Sequence, residues 1–398
     1  MATPNATGTR TSLPRVLTIG AYDRFNYGDL LFPLILDELL VKNGYSPRHL
    51  SMRLRIDGVA GAPPTYKSAP VLSHRENSHV PLIIGGGEVL GATWTHTLGY
   101  LLPNFLGDPL ARVYNRGFRR PLDFASRRVL GDKSPGPYVP KKDWLEKRLW
   151  STNAIGASSL KVLNAKDQMR ITETLRSANY VGVRDQSSVD ILASRGIEAH
   201  LHPDSAAVMT SLYSSSLEKS GKNATFQCSM PWLREHGLAN ATYAVQAMAA
   251  RFENVLLIPI GLAGAHSDQF ALRSILEQSD ERLKRQLTLV NPADVHEVRR
   301  RISTSELFVG SSLHGHITSM AYGVPAVALQ GIPKLDQYIG TWGGDLTPLE
   351  GQYPSIGEAI DKAVQQPVDA LQKRAQELDG LAMEGIRRAA SAVGRGLR

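Results

Sequence analysis

A chain of 398 residues with 42% apolar residues and a formal net charge of +8 is long enough for two to three domains and apolar enough for ordinary cores. It has no run of about 18 apolar residues, which argues against a membrane-spanning helix, and its single cysteine, Cys228, excludes internal disulfides and any multi-cysteine metal site. The polar opening MATPNATGTRTSLP (1–14) lacks the apolar core of a secretory signal and reads as a disordered lead, so a cytoplasmic location is expected and the sequon-like triplets at Asn5, Asn223 and Asn240 carry no weight.

In chain order, 16–19 predicts a strand. Residues 29–42, containing LLFPLILDELL, predict an amphipathic helix in which Pro33 is acceptable as a first-turn residue. Residues 80–84 predict a buried strand ending in Gly85, Gly86 and Gly87. The segment 103–150 is a basic insert. Between Arg112 and Arg148 eleven Lys/Arg stand against four Asp/Glu, interleaved with Tyr114, Phe118, Phe124, Tyr138, Trp144 and Trp150. Such a segment suits a solvated loop, or a surface for anionic lipid or a polyanionic acceptor. Nucleic acid is the weaker reading, since no nucleic-acid module surrounds it. Strands at 154–157 and 180–183 and helices at 165–177 and 187–195 follow, and a short strand ends at His202. The serine-rich stretch 211–221 (SLYSSSLEKSG) reads as a linker between domains at 15–210 and 222–354. The second series has strands at 224–228, 255–259 and 287–290, with Cys228 as a small core residue, and helices at 241–251, 269–278 and 295–303.

The most informative stretch is 308–329, FVGSSLHGHITSMAYGVPAVAL. A strand runs into Gly310, Ser311 and Ser312 offer N-caps, and a helix begins with His314 in its first turn. Gly323 and Pro325 close it before a second strand at 326–329. Residues 355–398 are helical and end basic, and the last helix is expected to cross back to the first domain. Alternating strands and helices imply an α/β fold: two Rossmann-like domains with parallel sheets facing a cleft, followed by a helical C-terminus.

Ligands of open parallel sheets gather beyond the carboxyl ends of the strands. Asn26-Tyr27-Gly28-Asp29 follows the first strand. Gly28 permits close backbone approach, and Asp29 is either a helix cap, a residue orienting a sugar hydroxyl, or a base. Gly85-Gly86-Gly87-Glu88 is a glycine turn that matches neither GxGxxG nor Walker A. Arg184 suits bidentate anion binding, with Asp185 either part of the site or a surface ion-pair partner. His202 and Asp204 flank Pro203 and read as turn residues; His266 and Asp268 also fall near strand ends. His314 at a helix N-terminus is an acid or base beside a bound anion, or simply a satisfied histidine of a capped helix.

Five segments in order, NYGD (26–29), IIGGGEVLG (83–91), VGVRDQSSVDIL (181–192), HPDSA (202–206) and GSSLHGHITSMAYGVPAVAL (310–329), resemble the polysaccharide pyruvyl transferase family. The resemblance implies a GT-B-like pair of domains, and transfer of the pyruvyl group of phosphoenolpyruvate to a sugar as a cyclic ketal with release of phosphate. It implies no metal or other cofactor. By the same resemblance Arg184 grips the anionic donor, His314 is the general acid, and Lys334 is a basic residue near the donor. Ser311, Ser312 and Gly315 fall on the donor side. Gly28, Gly86, Gly87 and Glu88 fall on the acceptor side, with Asp29 to activate the acceptor hydroxyl. Many members carry Arg where this chain has Ser312, which removes a permanent charge beside the phosphate. The implied acceptor is a sugar or lipid-linked oligosaccharide at the inner face of the membrane, with the basic insert facing anionic lipid. A nucleotide-sugar glycosyltransferase and an inactive homologue of the same fold are the competing readings.

Overall fold

The structure is a computed structural model that describes residues 13–131, 134–213, 222–263 and 267–397. Most of the 1–14 lead, most of the 211–221 linker, and His266 lie outside the described residues. Seven strands form the first sheet: β1 (Arg15–Ile19), β2 (Ser46–Ser51), β3 (Thr65–Lys67), β4 (Leu82–Gly87), β5 (Trp150–Ile155), β6 (Tyr180–Val183) and β7 (His200–Leu201). Five form the second: β8 (Asn223–Gln227), β9 (Asn254–Leu257), β10 (Leu287–Leu289), β11 (Leu307–Gly310) and β12 (Ala326–Ala328). The orders are β3-β2-β1-β4-β5-β6-β7 and β10-β9-β8-β11-β12, and every pairing is parallel. Strand order therefore reverses between β1 and β4 in one sheet and between β8 and β11 in the other. Those switch points are where a doubly wound sheet opens a crevice.

The helix Tyr27–Lys42 departs from its expected form. Leu30, Leu31, Phe32, Ile35, Leu36, Leu39 and Leu40 are all buried, covering most of its circumference. The helix lies between the first sheet and helices Val295–Ser303 and Leu313–Ala321 of the second domain. It is an interdomain core helix rather than an amphipathic surface one, because it is covered from both sides. It also starts two residues earlier than expected, which places Pro33 past the first turn and removes the usual backbone bond to the Asp29 carbonyl. One apolar cluster runs through both domains, joining Leu31 and Ile35 to Ile260, Phe308, Leu313 and Ile317. Backbone bonds Tyr27 N to Ile260 O at 3.0 Å and Ala263 N to Phe25 O at 2.9 Å seal the junction.

One other expectation changes, and one strand is added that the sequence reading did not include. The basic insert is helical, with helices Trp94–Leu101, Asn104–Asn115 and Arg119–Leu130 leading into it and through it. Strand β2 (SPRHLS) was hidden by its polarity, yet His49 is buried there and its Nδ1 lies 2.7 Å from Thr18 Oγ1. The final helix, Val368–Ser391, runs back to the first sheet, where Ser151 Oγ donates to the Ala389 carbonyl at 2.7 Å. Among the described residues no helix is long and apolar enough to cross a membrane.

Candidate functional site

A cavity of about 390 Å³ opens between the two switch points, lined by Ala21 after β1, Gly87 and Glu88 at β4, Gln227 at β8, and Ser311 and Ser312 after β11. On the second-domain side Ser312 caps helix Leu313–Ala321, its Oγ accepting from Gly315 N at 3.3 Å. The remaining N–H groups of a first helical turn have no intrahelical partner and favour an anion. Leu313 and His314, which supply two of them, line the cavity. Ser311 is a different case. Its N–H donates to Gln227 Oε1 at 3.1 Å, and its hydroxyl, 3.3 Å from Gln227 Oε1, accepts from Ser229 N at 3.2 Å. It builds the turn and has little left for a ligand. Gly315 does not line the cavity; a Cβ there would overlap the Phe308 ring, so it is a packing glycine.

The His314 imidazole lies directly over Gly28, where a Cβ would overlap its ring, and edge-on to Phe32 at a centroid distance of 5.5 Å. Gly28 thus makes room for the histidine instead of meeting a ligand. Gly86 likewise clears the Phe32 ring. Of Gly28, Gly86, Gly87 and Glu88, expected on the acceptor side, Gly87, at φ +83°, and Glu88 reach the cavity wall.

His314 Nε2 stands 3.6 Å from Asp204 Oδ2, just beyond hydrogen-bond range. Asp204 caps the turn Ser205–Val208 as a turn residue should, accepting from Ala206 N at 3.1 Å. It also holds Arg184 Nη1 at 3.4 Å. Burial alone would raise the Asp204 carboxyl, but His314 and Arg184 hold it below the usual range. Arg184 is 1% exposed and surrounded by acids: Nη2 donates to Glu88 Oε2 at 3.0 Å, and Nε lies 3.8 Å from Asp185 Oδ2. Asp185 is buried and caps helix Gln186–Ala193 through Ser188 N, so no surface ion pair exists here. Glu88 Oε1 accepts from Ser158 Oγ, Ser159 N and Ser159 Oγ at 2.7–2.9 Å. Both Glu88 oxygens are therefore engaged, and Arg184 reads as the keystone of a buried acid cluster. It does line the cavity, as a donor-binding residue would, but its charge is balanced before any anion arrives.

Lys334, on helix Pro333–Trp342, lines the cavity and has no ion-pair partner among the described residues. Burial, with Arg184 nearby, holds its ammonium below the usual lysine range. Asp29 lines the opposite wall. It is not the cap expected of it: the cap position is Asn26, and Asp29 sits in the first turn, 3.9 Å from Arg24 Nη2. Arg24 donates to Tyr138 OH at 2.8 Å and packs over the Tyr100 ring. Burial opposes its charge, but Tyr138, Asp23 and Asp29 outweigh that and strengthen it.

Asp268 is fully buried in the second-domain wall. Its Oδ2 accepts from Gln227 Nε2, Ile260 N and Gly261 N at 2.8–3.0 Å, while Oδ1 has no partner among the described residues. Burial pushes its carboxyl up to about 6. Sequence reasoning missed Arg24, Tyr100, Tyr138 and Gln227 as cavity residues. For Arg24, just beyond β1, and Gln227, at the end of β8, strand-end position was the available signal; Tyr100 and Tyr138, far along the chain from β4, carried none. His202 packs against Gly385 and does not line the cavity. Among the described residues no group of three or more His, Cys, Asp or Glu side chains is placed to hold a metal ion.

A comparison with curated proteins finds no match. Among solved structures the chain is similar to a putative UDP-N-acetylglucosamine 2-epimerase from Listeria monocytogenes, at 11% identity and TM-score 0.52, covering 96% of each chain. It is also similar to the trehalose-6-phosphate phosphatase N-terminal domain of Candida albicans, at 9% identity and TM-score 0.50, covering 97% of this chain and 98% of that one. At such identities the likeness shows the fold alone, a GT-B-like pair of parallel-sheet domains. The sequence model of polysaccharide pyruvyl transferases matches residues 26–330, the span that holds β4, β8, β11, His314 and the Arg184 cluster, and the chain belongs to that transferase family.

Proposed function

We propose that this protein transfers the enolpyruvyl group of phosphoenolpyruvate to two hydroxyls of a sugar, within a polysaccharide or lipid-linked oligosaccharide, as a cyclic ketal with release of phosphate. The observation that carries this reading is an imidazole at a helix N-terminus, backed by the buried Asp204 carboxylate and sharing the interdomain cavity with Lys334, which has no ion-pair partner among the described residues. Donor phosphate and carboxylate would rest on Lys334 and the Leu313–Ala321 helix start. That assignment gives Lys334 the gripping role first expected of Arg184.

The chemistry balances as follows. The His314 imidazolium gives its proton to the donor methylene, making the methyl group, while Asp204 stabilises the imidazolium. A sugar hydroxyl bonds to C2 and loses its proton to Asp29. The C2–O bond to phosphate then breaks, the proton held by Asp29 passing to the leaving phosphate, and the second hydroxyl closes the ring, its proton recharging His314. The scheme calls for no cofactor. A cytoplasmic, peripheral setting at a membrane would bring a lipid-linked acceptor to the cavity.

Mass spectrometry of candidate oligosaccharides incubated with the protein and phosphoenolpyruvate tests the reading, with a pyruvyl ketal product and phosphate release expected. The nucleotide-sugar alternative rests on fold likeness. Calorimetric binding of UDP- or GDP-sugars, with none of phosphoenolpyruvate, would favour it. Binding of neither would favour an inactive homologue.

A further inference from the structure

Helices Asn104–Asn115 and Arg119–Leu130 form a hairpin that packs on helix Trp94–Leu101. Asp123 fastens it, accepting from Thr95 N at 2.9 Å, Thr95 Oγ1 at 2.7 Å and Tyr114 OH at 3.2 Å. The supporting helix carries His96, Thr97 and Tyr100 into the cavity wall, so the hairpin stands at the edge of the site. Its inner positions, among them Tyr114, Ser126 and Leu130, are buried. Its outer positions are unusually apolar. Phe105 is 74% exposed, Phe118 59%, Phe124 61% and Val129 69%, with Leu106 and Val113 also turned out. Between 104 and 130 there are six arginines against two aspartates. Arg116, Arg119, Arg120 and Arg128 share the exposed side with the apolar groups.

Bulky apolar side chains on the outer face of an amphipathic basic helix lower into an acyl boundary, while guanidinium groups meet anionic headgroups. Nucleic acid fits less well, because Leu106, Val113 and Val129 offer no ring for a base to stack on. We propose that the outer face of this hairpin is a docking surface for an anionic lipid bilayer, which sets the cavity mouth at the membrane. The docking is independent of the chemistry in the cavity. Only the inference that it serves a lipid-linked acceptor rests on the pyruvyl-transfer reading.

Vesicle co-sedimentation of the full chain needs no turnover and therefore separates the two readings. The chain is expected to sediment with phosphatidylglycerol vesicles and not with phosphatidylcholine vesicles, and to be released as salt rises. Arg116→Glu/Arg120→Glu and, separately, Phe105→Ser/Phe124→Ser are expected to weaken binding by more than about tenfold, with melting temperature and phosphoenolpyruvate binding unchanged. Equal binding to both vesicle types, no binding, or full binding by either variant would overturn the proposal. So would a dimer in sedimentation velocity that the phenylalanine variant dissolves, since the face would then be an interface between copies of this chain.

Discussion

Asp204 Oδ2 and His314 Nε2 lie 3.6 Å apart, joining a carboxylate that follows β7 of the first sheet to an imidazole that follows β11 of the second. The pair exists only when both domains are in place. On the proposed mechanism Asp204 acts through His314 by stabilising its charged form. His314→Ala is expected to lower kcat by about 10²- to 10⁴-fold with folding intact. Asp204→Asn is expected to lower kcat more than it raises the KM for phosphoenolpyruvate. Steady-state phosphate release checks both, and retained turnover in His314→Ala removes the acid assignment.

Arg184 and Lys334 are expected to separate cleanly. Arg184→Met leaves Glu88, Asp185 and Asp204 facing one another without their shared cation, a loss of about 3–5 kcal/mol by analogy with other broken buried pairs. Lys334→Met breaks no ion pair among the described residues and is expected to leave the melting temperature near wild type while weakening donor binding. Differential scanning calorimetry alongside titration with phosphoenolpyruvate distinguishes them. A stable Arg184→Met variant that merely fails to bind donor would restore Arg184 as the anion grip.

Gly28→Ala adds one methyl group where the His314 ring lies. Overpacking of this kind costs about 1–3 kcal/mol, and here the imidazole is the group that must give way. The expected signature is a kcat loss out of proportion to the fall in stability. A Gly61→Ala control, at a glycine of φ +85° away from the ring, should lose stability without the kcat effect.

Asp268 makes a pH prediction. Its folded-state carboxyl titrates at about 6 against an ordinary 3.8, so the folded chain binds more protons than the unfolded chain between those values. Its contribution is complete below about pH 4 and is lost as pH rises through 6, a change of about 3 kcal/mol. Asn mimics the protonated acid, its carbonyl accepting the three N–H groups now on Oδ2. Asp268→Asn is therefore expected to gain stability over wild type as pH rises from 4.5 to 7, read by thermal melts. A constant difference across that range would contradict the raised value.

Much of the fold was legible because its signals are local. The helix at 295–303 and the strand at 180–183 follow from apolar periodicity within a few residues, and they appear with those bounds. Ser312 capping its own helix is equally local. The Tyr27–Lys42 helix shows the limit. Its leucines announced burial, but not that it would be covered from two sides, because the second covering surface comes from a different domain.

The sequence by itself determined the parallel α/β alternation, the family and the position of His314 at a helix start, since each depends on residue order and short-range geometry. Only the tertiary structure decided what the charged residues do. Arg184 looked available until Glu88, Asp185 and Asp204 converged on it, and Asp204 looked like a turn residue until His314 arrived beside it. Gly28 looked like a ligand contact until the imidazole filled the space above it. Electrostatic and steric roles act over a few ångströms in space between groups far apart along the chain, so they become readable only once packing has chosen the neighbours.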